Sequence, residues 1–193
     1  MMNFTDYKAY TQKAIDSVDV AEVDSFIEAI HAAFERGATI FVIGNGGSAA
    51  SASHLAQDLA KGTCLDLKNE DRRVRALALT DNVAFISALG NDEGYDQIFS
   101  QQLRTFQRPG DMVIAISGSG NSPNILRAIE LANASGLETW GVTGFDGGKL
   151  RTMAAHCVHV PLNDMCTAES VHTVIFHYVI LRLREMIAAG VAA

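Results

Sequence analysis

Twice in this chain a short, unbroken apolar run ends in a glycine-serine turn that opens a helix, and that repeated unit limits the fold more than any other feature. The first unit spans Ile40 to Gly62. Ile40, Phe41, Val42 and Ile43 form a run of the kind that parallel sheets bury on both faces, and Gly44, Asn45, Gly46, Gly47 and Ser48 follow at once. Small residues there let backbone N–H groups and the Ser48 hydroxyl approach an anion at a helix N-terminus. The helix that follows carries His54 and Asp58 at i and i+4, on one face. The second unit, Met112 to Ile116, runs into Ser117, Gly118, Ser119, Gly120, Asn121, Ser122 and Pro123. Pro123 suits the first helical position and Ser122 the cap before it, which predicts a helix over Asn124 to Ala134.

The rest of the chain repeats the alternation. Helical periodicity covers residues 4 to 17 and 22 to 36, and Gly37 stops the second of these helices. After the first unit, Asp66 to Arg73 reads as a loop, Val74 to Leu79 as a strand, and Thr80 and Asp81 as the place of a helix cap. A helix over Asn82 to Leu89 is expected to be interrupted by the turn Gly90 to Gly94, with another helix from Tyr95 to Phe106. Further strands fall at Thr139 to Thr143 and Cys157 to Val160, and a long apolar helix runs from about Thr167 to Ala189. Alternating strands and helices predict an α/β fold: three layers around a doubly wound, five-stranded parallel sheet of order 2-1-3-4-5, with extra N-terminal helices. The whole of 1–193 reads as a single domain, 1–36 supplying those helices and 37–193 the α/β core. In that order both glycine-serine turns face the crevice where such sheets bind ligands.

Composition narrows the setting. A hydrophobic content of 48% with 3 Pro argues for a compact globular chain. A net charge of -7 gives no reason to expect nucleic acid or an acidic membrane surface. The polar start of the chain does not read as a signal peptide, and no apolar run approaches the roughly 18 residues that span a bilayer. Cys64, Cys157 and Cys166 lack CxxC spacing, which fits reduced thiols and a cytoplasmic location.

The chemistry divides into weak and strong signals. Gly44, Gly46 and Ala49 match GxGxxA, but a nicotinamide site should carry an acidic residue about 20 residues on, and Asp81 lies well beyond that. No Lys-Ser/Thr pair follows the glycines as a Walker A loop requires, so no nucleotide cofactor is expected. Ser117, Ser119 and Ser122 decide for a phosphomonoester: three hydroxyls beside backbone N–H groups make a neutral nest. His54 and Asp58 suit metal ligation, an acid-base pair or a surface salt bridge equally. Glu169 and His177 lie about 80° apart around the last helix, near enough to share a broad face, whereas His172 points elsewhere as a structural residue. Two histidines and two carboxylates would suit Zn²⁺. His31, His156 and His159 read as structural, Lys61 and Lys149 as surface, and Asp92 as either a cap or an acceptor for a sugar hydroxyl.

These residues resemble the sugar isomerase (SIS) domain family, most closely its phosphoheptose isomerases. The likeness rests on the order of six motifs: GNGGS at Gly44 to Ser48, HLAQDL, the GND turn at Gly90 to Asp92, SGSGNSPN at Ser117 to Asn124, TGFDGGK, and Glu169, His172 and His177 as ExxHxxxxH. The resemblance implies phosphate-binding serines at Ser48, Ser117, Ser119 and Ser122, sugar contacts at Asn45 and Asp92, and further substrate contacts at Gly46, Gly47, Gly118 and Glu169. It implies a catalytic base at Asp58, a histidine acid at His177, and, for zinc-binding members, ligation by His54, Asp58, Glu169 and His177. It also implies a homotetramer with sites at subunit interfaces. The activity implied is isomerisation of sedoheptulose 7-phosphate to D-glycero-D-manno-heptose 7-phosphate for bacterial lipopolysaccharide or capsule synthesis. The alternative within the family is a non-catalytic regulator that senses sugar phosphates, or a scaffold that assembles with the replication initiator.

Four departures bear on that expectation. Asp58 is one methylene shorter than the family's glutamate, Glu169 replaces a glutamine, and Gly118 replaces a threonine. The Arg-Ile-Gln segment before the last helix is here Thr167, Ala168 and Glu169.

Overall fold

The computed structural model describes residues 2–65 and 72–191. Asp66 to Asp71, most of the expected loop, lie outside the described residues.

Each apolar run becomes a strand because its side chains are wanted on both sides of a covered sheet. The strands are β1 (Thr39–Gly44), β2 (Arg75–Ala78), β3 (Met112–Ser117), β4 (Glu138–Thr143) and β5 (His156–His159). All neighbours pair in parallel in the order β2-β1-β3-β4-β5. This is the expected three-layer, doubly wound α/β arrangement, with β1 and β3 adjacent. Alternate side chains divide between two cores: Ile40, Val42, Met112, Ile114 and Ile116 enter one, and Phe41, Ile43, Val113 and Ala115 the other. The central strands are therefore buried nearly throughout.

The helices are α1 (Phe4–Asp16), α2 (Val20–Glu35), α3 (Gly47–Gln57), α4 (Val83–Asp92), α5 (Ser100–Phe106), α6 (Pro123–Ala134), α7 (Leu150–Met153) and α8 (Met165–Val191). Of the N-terminal helices, α2 covers the sheet and α1 packs on α8. Phe26 of α2 is fully buried with its ring centroid 5.0 Å from that of Trp140, and Glu22 accepts a hydrogen bond from the His159 backbone N–H at 2.9 Å. Truncating a side chain buried like Phe26 typically costs about 3–5 kcal/mol, so α2 is part of the core and more than an appendage.

Three sequence expectations fail for local reasons. Gly90 does not interrupt α4, which continues through Asn91 to Asp92; Gly94, at φ +100°, is the residue that ends it, its N–H reaching back to the Leu89 carbonyl at 3.1 Å. The helix expected from Tyr95 is a 3-10 turn (Tyr95–Gln97) followed by α5. The cap of α4 is also one residue late: Asn82 accepts from the Phe85 N–H at 3.0 Å, while the Asp81 carboxylate accepts from the Ser53 hydroxyl and, at 3.1 Å, from that of Thr80.

Candidate functional site

Because β1 and β3 are neighbours, the turns at their C-terminal ends open side by side. Together they enclose a cavity of about 190 Å³ lined by Asn45, Ser48, Ile116, Ser117, Gly118, Ser119, Ser122, Met165 and Glu169. A larger hollow of about 420 Å³ between α2, α8 and Val74 has no such cradle of hydroxyls. The turn after β1 is tight enough to demand glycine: a Cβ on Gly44 would lie 2.4 Å from the Ser48 carbonyl oxygen. Gly46, at φ +54°, stands at the N-cap of α3 without any side-chain cap bond, and Gly47 starts the helix. Ser122 is the N-cap of α6 as expected, with Pro123 at the first position, but its hydroxyl makes no capping bond. Two helix N-termini that receive no bond from a cap side chain thus meet at one cavity, beside the Ser48, Ser117, Ser119 and Ser122 hydroxyls. Orphan N–H groups and the partial positive charge of both helices suit an anion there.

The turn after β4 braces the second serine turn. Leu150 N–H donates to the Gly120 carbonyl at 2.9 Å, Gly144 N–H to the Gly118 carbonyl at 2.9 Å, and Lys149 N–H to Asn121 Oδ1 at 3.2 Å. The backbones approach so closely that a Cβ on Gly120 would lie 2.0 Å from the Gly147 carbonyl oxygen. The TGFDGGK segment is therefore a support for the cradle.

Farther along α3 stands the second group. His54 Nε2 lies 3.2 Å from Asp58 Oδ2, and the His54 and His177 rings meet edge to face at 5.2 Å. Ligand atoms of His54, Asp58 and His177 lie within 4.8 Å of one another, a set that could hold a metal ion. Asp58 begins a π-helical turn (Asp58–Gly62) that follows directly on α3, and Ile180 of α8 packs near Gly62 of that turn. Such turns recur at functional sites because they redirect side chains.

Glu169 does not join that triad. Its two carboxylate oxygens sit against Gly47, where a Cβ would meet them at 2.8 and 2.9 Å. The reason is the rise of the helix: eight residues share a face but advance about 12 Å. The contacts Gly47 to Glu169 and His54 to His177 set α3 and α8 side by side in one direction, with Glu169 at the cradle and His177 at the triad. Asp92 ends α4 as an exposed residue, accepts from Asn91 Nδ2 at 2.7 Å, and does not line the cavity.

His172 has the structural role expected of it. It is 1% exposed, its Nε2–H donates to the Thr143 carbonyl at 3.1 Å, and burial lowers its pKa to about 4, so the ring is neutral. Burial also lowers His159, whose Nδ1 lies 2.9 Å from the Thr143 hydroxyl.

Of three further residues of the site, Met165 and Tyr95 belong to no motif named above, and Asn124 closes the SGSGNSPN segment with no role assigned to it there. Met165 roofs Gly118, where a Cβ would meet its sulfur at 2.4 Å. Asn124 forms a reciprocal amide pair with Asn45, and the Tyr95 hydroxyl donates to Asn45 Oδ1 at 3.1 Å. An asparagine directly after a Ser-Pro helix start, matched by one in the other glycine turn, is the signal that could have found the pair.

Comparison with known proteins gives consistent matches. The family model described as the SIS domain matches residues 3–144. The phosphoheptose isomerase of Pelobacter propionicus is 40% identical over 147 residues, 76% of each chain, and that of Rhodospirillum rubrum is 40% identical over 148 residues, 77% of each. A solved phosphoheptose isomerase from Neisseria gonorrhoeae superposes with a TM-score of 0.84 at 28% identity, covering 93% of this chain and 95% of its own.

Proposed function

We propose that this chain, which belongs to the SIS domain family, is an aldose-ketose isomerase acting on a phosphorylated sugar, namely sedoheptulose 7-phosphate, to give D-glycero-D-manno-heptose 7-phosphate. The observation that carries the reading is the pairing of two sites along α3: a cradle of hydroxyls and N–H groups at its start, with the Glu169 carboxylate at the edge, and a carboxylate beside two histidines at its end. From Gly47 to His54 the helix rises about 10 Å, a span that a phosphorylated seven-carbon chain can bridge.

In this reading Ser48, Ser117, Ser119 and Ser122 bind the phosphate and Gly46 leaves the backbone open to it, while Glu169 stands against Gly47 and Met165 over Gly118. Asn45 and Glu169 contact the sugar. Asp58 takes the proton from the carbon beside the carbonyl to give an enediol, and His177 serves the oxygens or returns the proton to the neighbouring carbon. His54, within hydrogen-bonding reach of Asp58, positions that carboxylate. The donor set of His54, Asp58 and His177 also fits Zn²⁺ with a ligand position left open, and a bound zinc would polarise the two oxygens of the substrate. Activity of chelator-treated protein against zinc-loaded protein separates the two uses of Asp58.

The site is partly open, since His54 and His177 are exposed. Assembly would close it, and the exposed apolar surface supports assembly. Val20, Val174 and Tyr178 line a groove with Ile15, Val18 and Val23, and Leu181 is exposed nearby. A homotetramer that brings Asp92 to a neighbour's sugar is the arrangement we favour, and sedimentation would give about four times the mass of one chain. A cytoplasmic setting is part of the same proposal. No described helix is long and apolar enough to cross a membrane, and the three cysteines form no disulfide.

The test is to incubate the protein with sedoheptulose 7-phosphate and follow the aldose by NMR. Formation of the heptose 7-phosphate supports the isomerase; saturable binding without conversion would make the chain a sugar-phosphate sensor.

A further inference from the structure

We infer that Asn124, with Tyr95, is a positioning residue that turns the Asn45 amide so that it offers the cavity one N–H and no acceptor, committing Asn45 to an acceptor oxygen of the bound molecule. The inference rests on the sugar-phosphate reading of the cavity and adds to it the polarity of one contact.

The argument starts from a backbone donor. Ile125 N–H donates to Asn124 Oδ1 at 3.0 Å, and a backbone N–H cannot accept in return. That bond fixes which end of the Asn124 amide is oxygen. The same Oδ1 accepts from Asn45 Nδ2 at 2.9 Å, and Asn124 Nδ2 donates to Asn45 Oδ1 at 2.8 Å. Turning the pair over together would preserve its own two bonds but would bring Asn124 Nδ2 against the Ile125 N–H, donor against donor. Asn124 is 2% exposed, so water cannot relieve such a clash.

The orientation therefore passes to Asn45. Its Oδ1 has two lone pairs, and Asn124 Nδ2 and the Tyr95 hydroxyl, at 3.1 Å, take both. Its Nδ2 has two hydrogens, and Asn124 takes one. One N–H remains on a residue that lines the cavity with Ser48 and Ser117. A fixed donor suits an oxygen that carries or gains negative charge, either on the phosphate or on the sugar carbonyl as it becomes an enediol. A pair that joins the turn after β1 to the first turn of α6 also holds the two halves of the cradle in register.

The experiment uses the full chain, ¹⁵N-labelled, with the Asn45 side-chain amide assigned by its loss in Asn45→Ser. On titration with sedoheptulose 7-phosphate, one Asn45 amide proton shifts and the other, held by Asn124, stays. A parallel titration with inorganic phosphate separates the acceptors: the same shift assigns the phosphate, and a shift with the sugar phosphate alone assigns the sugar. In Asn124→Ala both protons move, and kcat/KM falls about tenfold. Tyr95→Phe alters an exposed residue and carries little folding risk; freeing one lone pair of Asn45 lowers kcat/KM about fivefold, as losing one hydrogen bond of about 1 kcal/mol requires. Saturable binding at the Ser48 and Ser119 backbone amides with both Asn45 protons unmoved, or wild-type kinetics in both variants, overturns the inference and leaves the sugar-phosphate reading standing. Failure of the sugar phosphate to bind anywhere removes both.

Discussion

Replacing Gly148 by alanine would put a methyl group 2.4 Å from the Ser119 carbonyl oxygen and 2.6 Å from Asn121 Nδ2. Two costs follow, and a second glycine separates them. Gly148 has φ +52°, and Gly136 has φ +72° with nothing within 4 Å of its added Cβ. Both variants bear the left-handed penalty of roughly 1–2 kcal/mol; only Gly148→Ala must also shift backbone. The bonds at risk are Leu150 N–H to the Gly120 carbonyl and Lys149 N–H to Asn121 Oδ1, each worth about 1 kcal/mol. The expected losses are therefore about 1–2 kcal/mol for Gly136→Ala and about 3–4 for Gly148→Ala. At about 2–4 °C per kcal/mol for a chain of this size, calorimetry resolves the difference. Function divides the variants further. Gly136 lies beyond the C-terminal end of α6, about 18 Å along the axis from the cradle, so its KM for sedoheptulose 7-phosphate stays at the wild-type value. Gly148→Ala raises that KM on the order of tenfold, because Ser119 moves with the turn. Equal melting losses and equal KM values in the two variants would refute the claim that the turn after β4 holds the serine turn in place.

Gly118→Ala should be milder, because its obstacle is the sulfur of a flexible, exposed Met165 side chain rather than backbone; the loss stays below about 1 kcal/mol, and adding Met165→Ala recovers that loss, a coupling of about 0.5–1 kcal/mol in a double-mutant cycle of stability. His172 should set an acid limb of stability: the unfolded imidazole takes a proton near pH 6.5 and the buried one only near 4, so stability is whole above 6.5 and declines by up to about 3 kcal/mol as pH falls to 4. Urea midpoints at pH 7 and 4.5 should differ more for the wild type than for His172→Gln; equal differences would sink that assignment.

The central strands were legible in the sequence because β1 and β3 are apolar runs that end in glycine or serine, whereas the order of the five strands came from the alternation of strands and helices and from no strand's own residues. The cradle was legible because small and hydroxylated residues cluster where two such runs end. The three-dimensional details that escaped have definite causes. Gly90 looks like a helix breaker, yet the conformation that ends α4 belongs to Gly94, and the difference is a backbone angle that composition does not encode. Glu169 and His177 were grouped by angle around α8, which leaves out the rise between them. Asn124 and Met165 act through contacts with Asn45 and Gly118, far away in the chain, so the motif that contains Asn124 does not reveal its partner and nothing local announces Met165.

The central claim is proton transfer by Asp58 on a sugar whose phosphate lies in the serine cradle. Its most direct measurement is isomerisation of sedoheptulose 7-phosphate in deuterated water, wild type beside Asp58→Asn. The account expects deuterium at the carbon next to the carbonyl with the wild type, and retained binding without exchange in the variant. Turnover with no solvent deuterium incorporated, or exchange by Asp58→Asn at the wild-type rate, would contradict it.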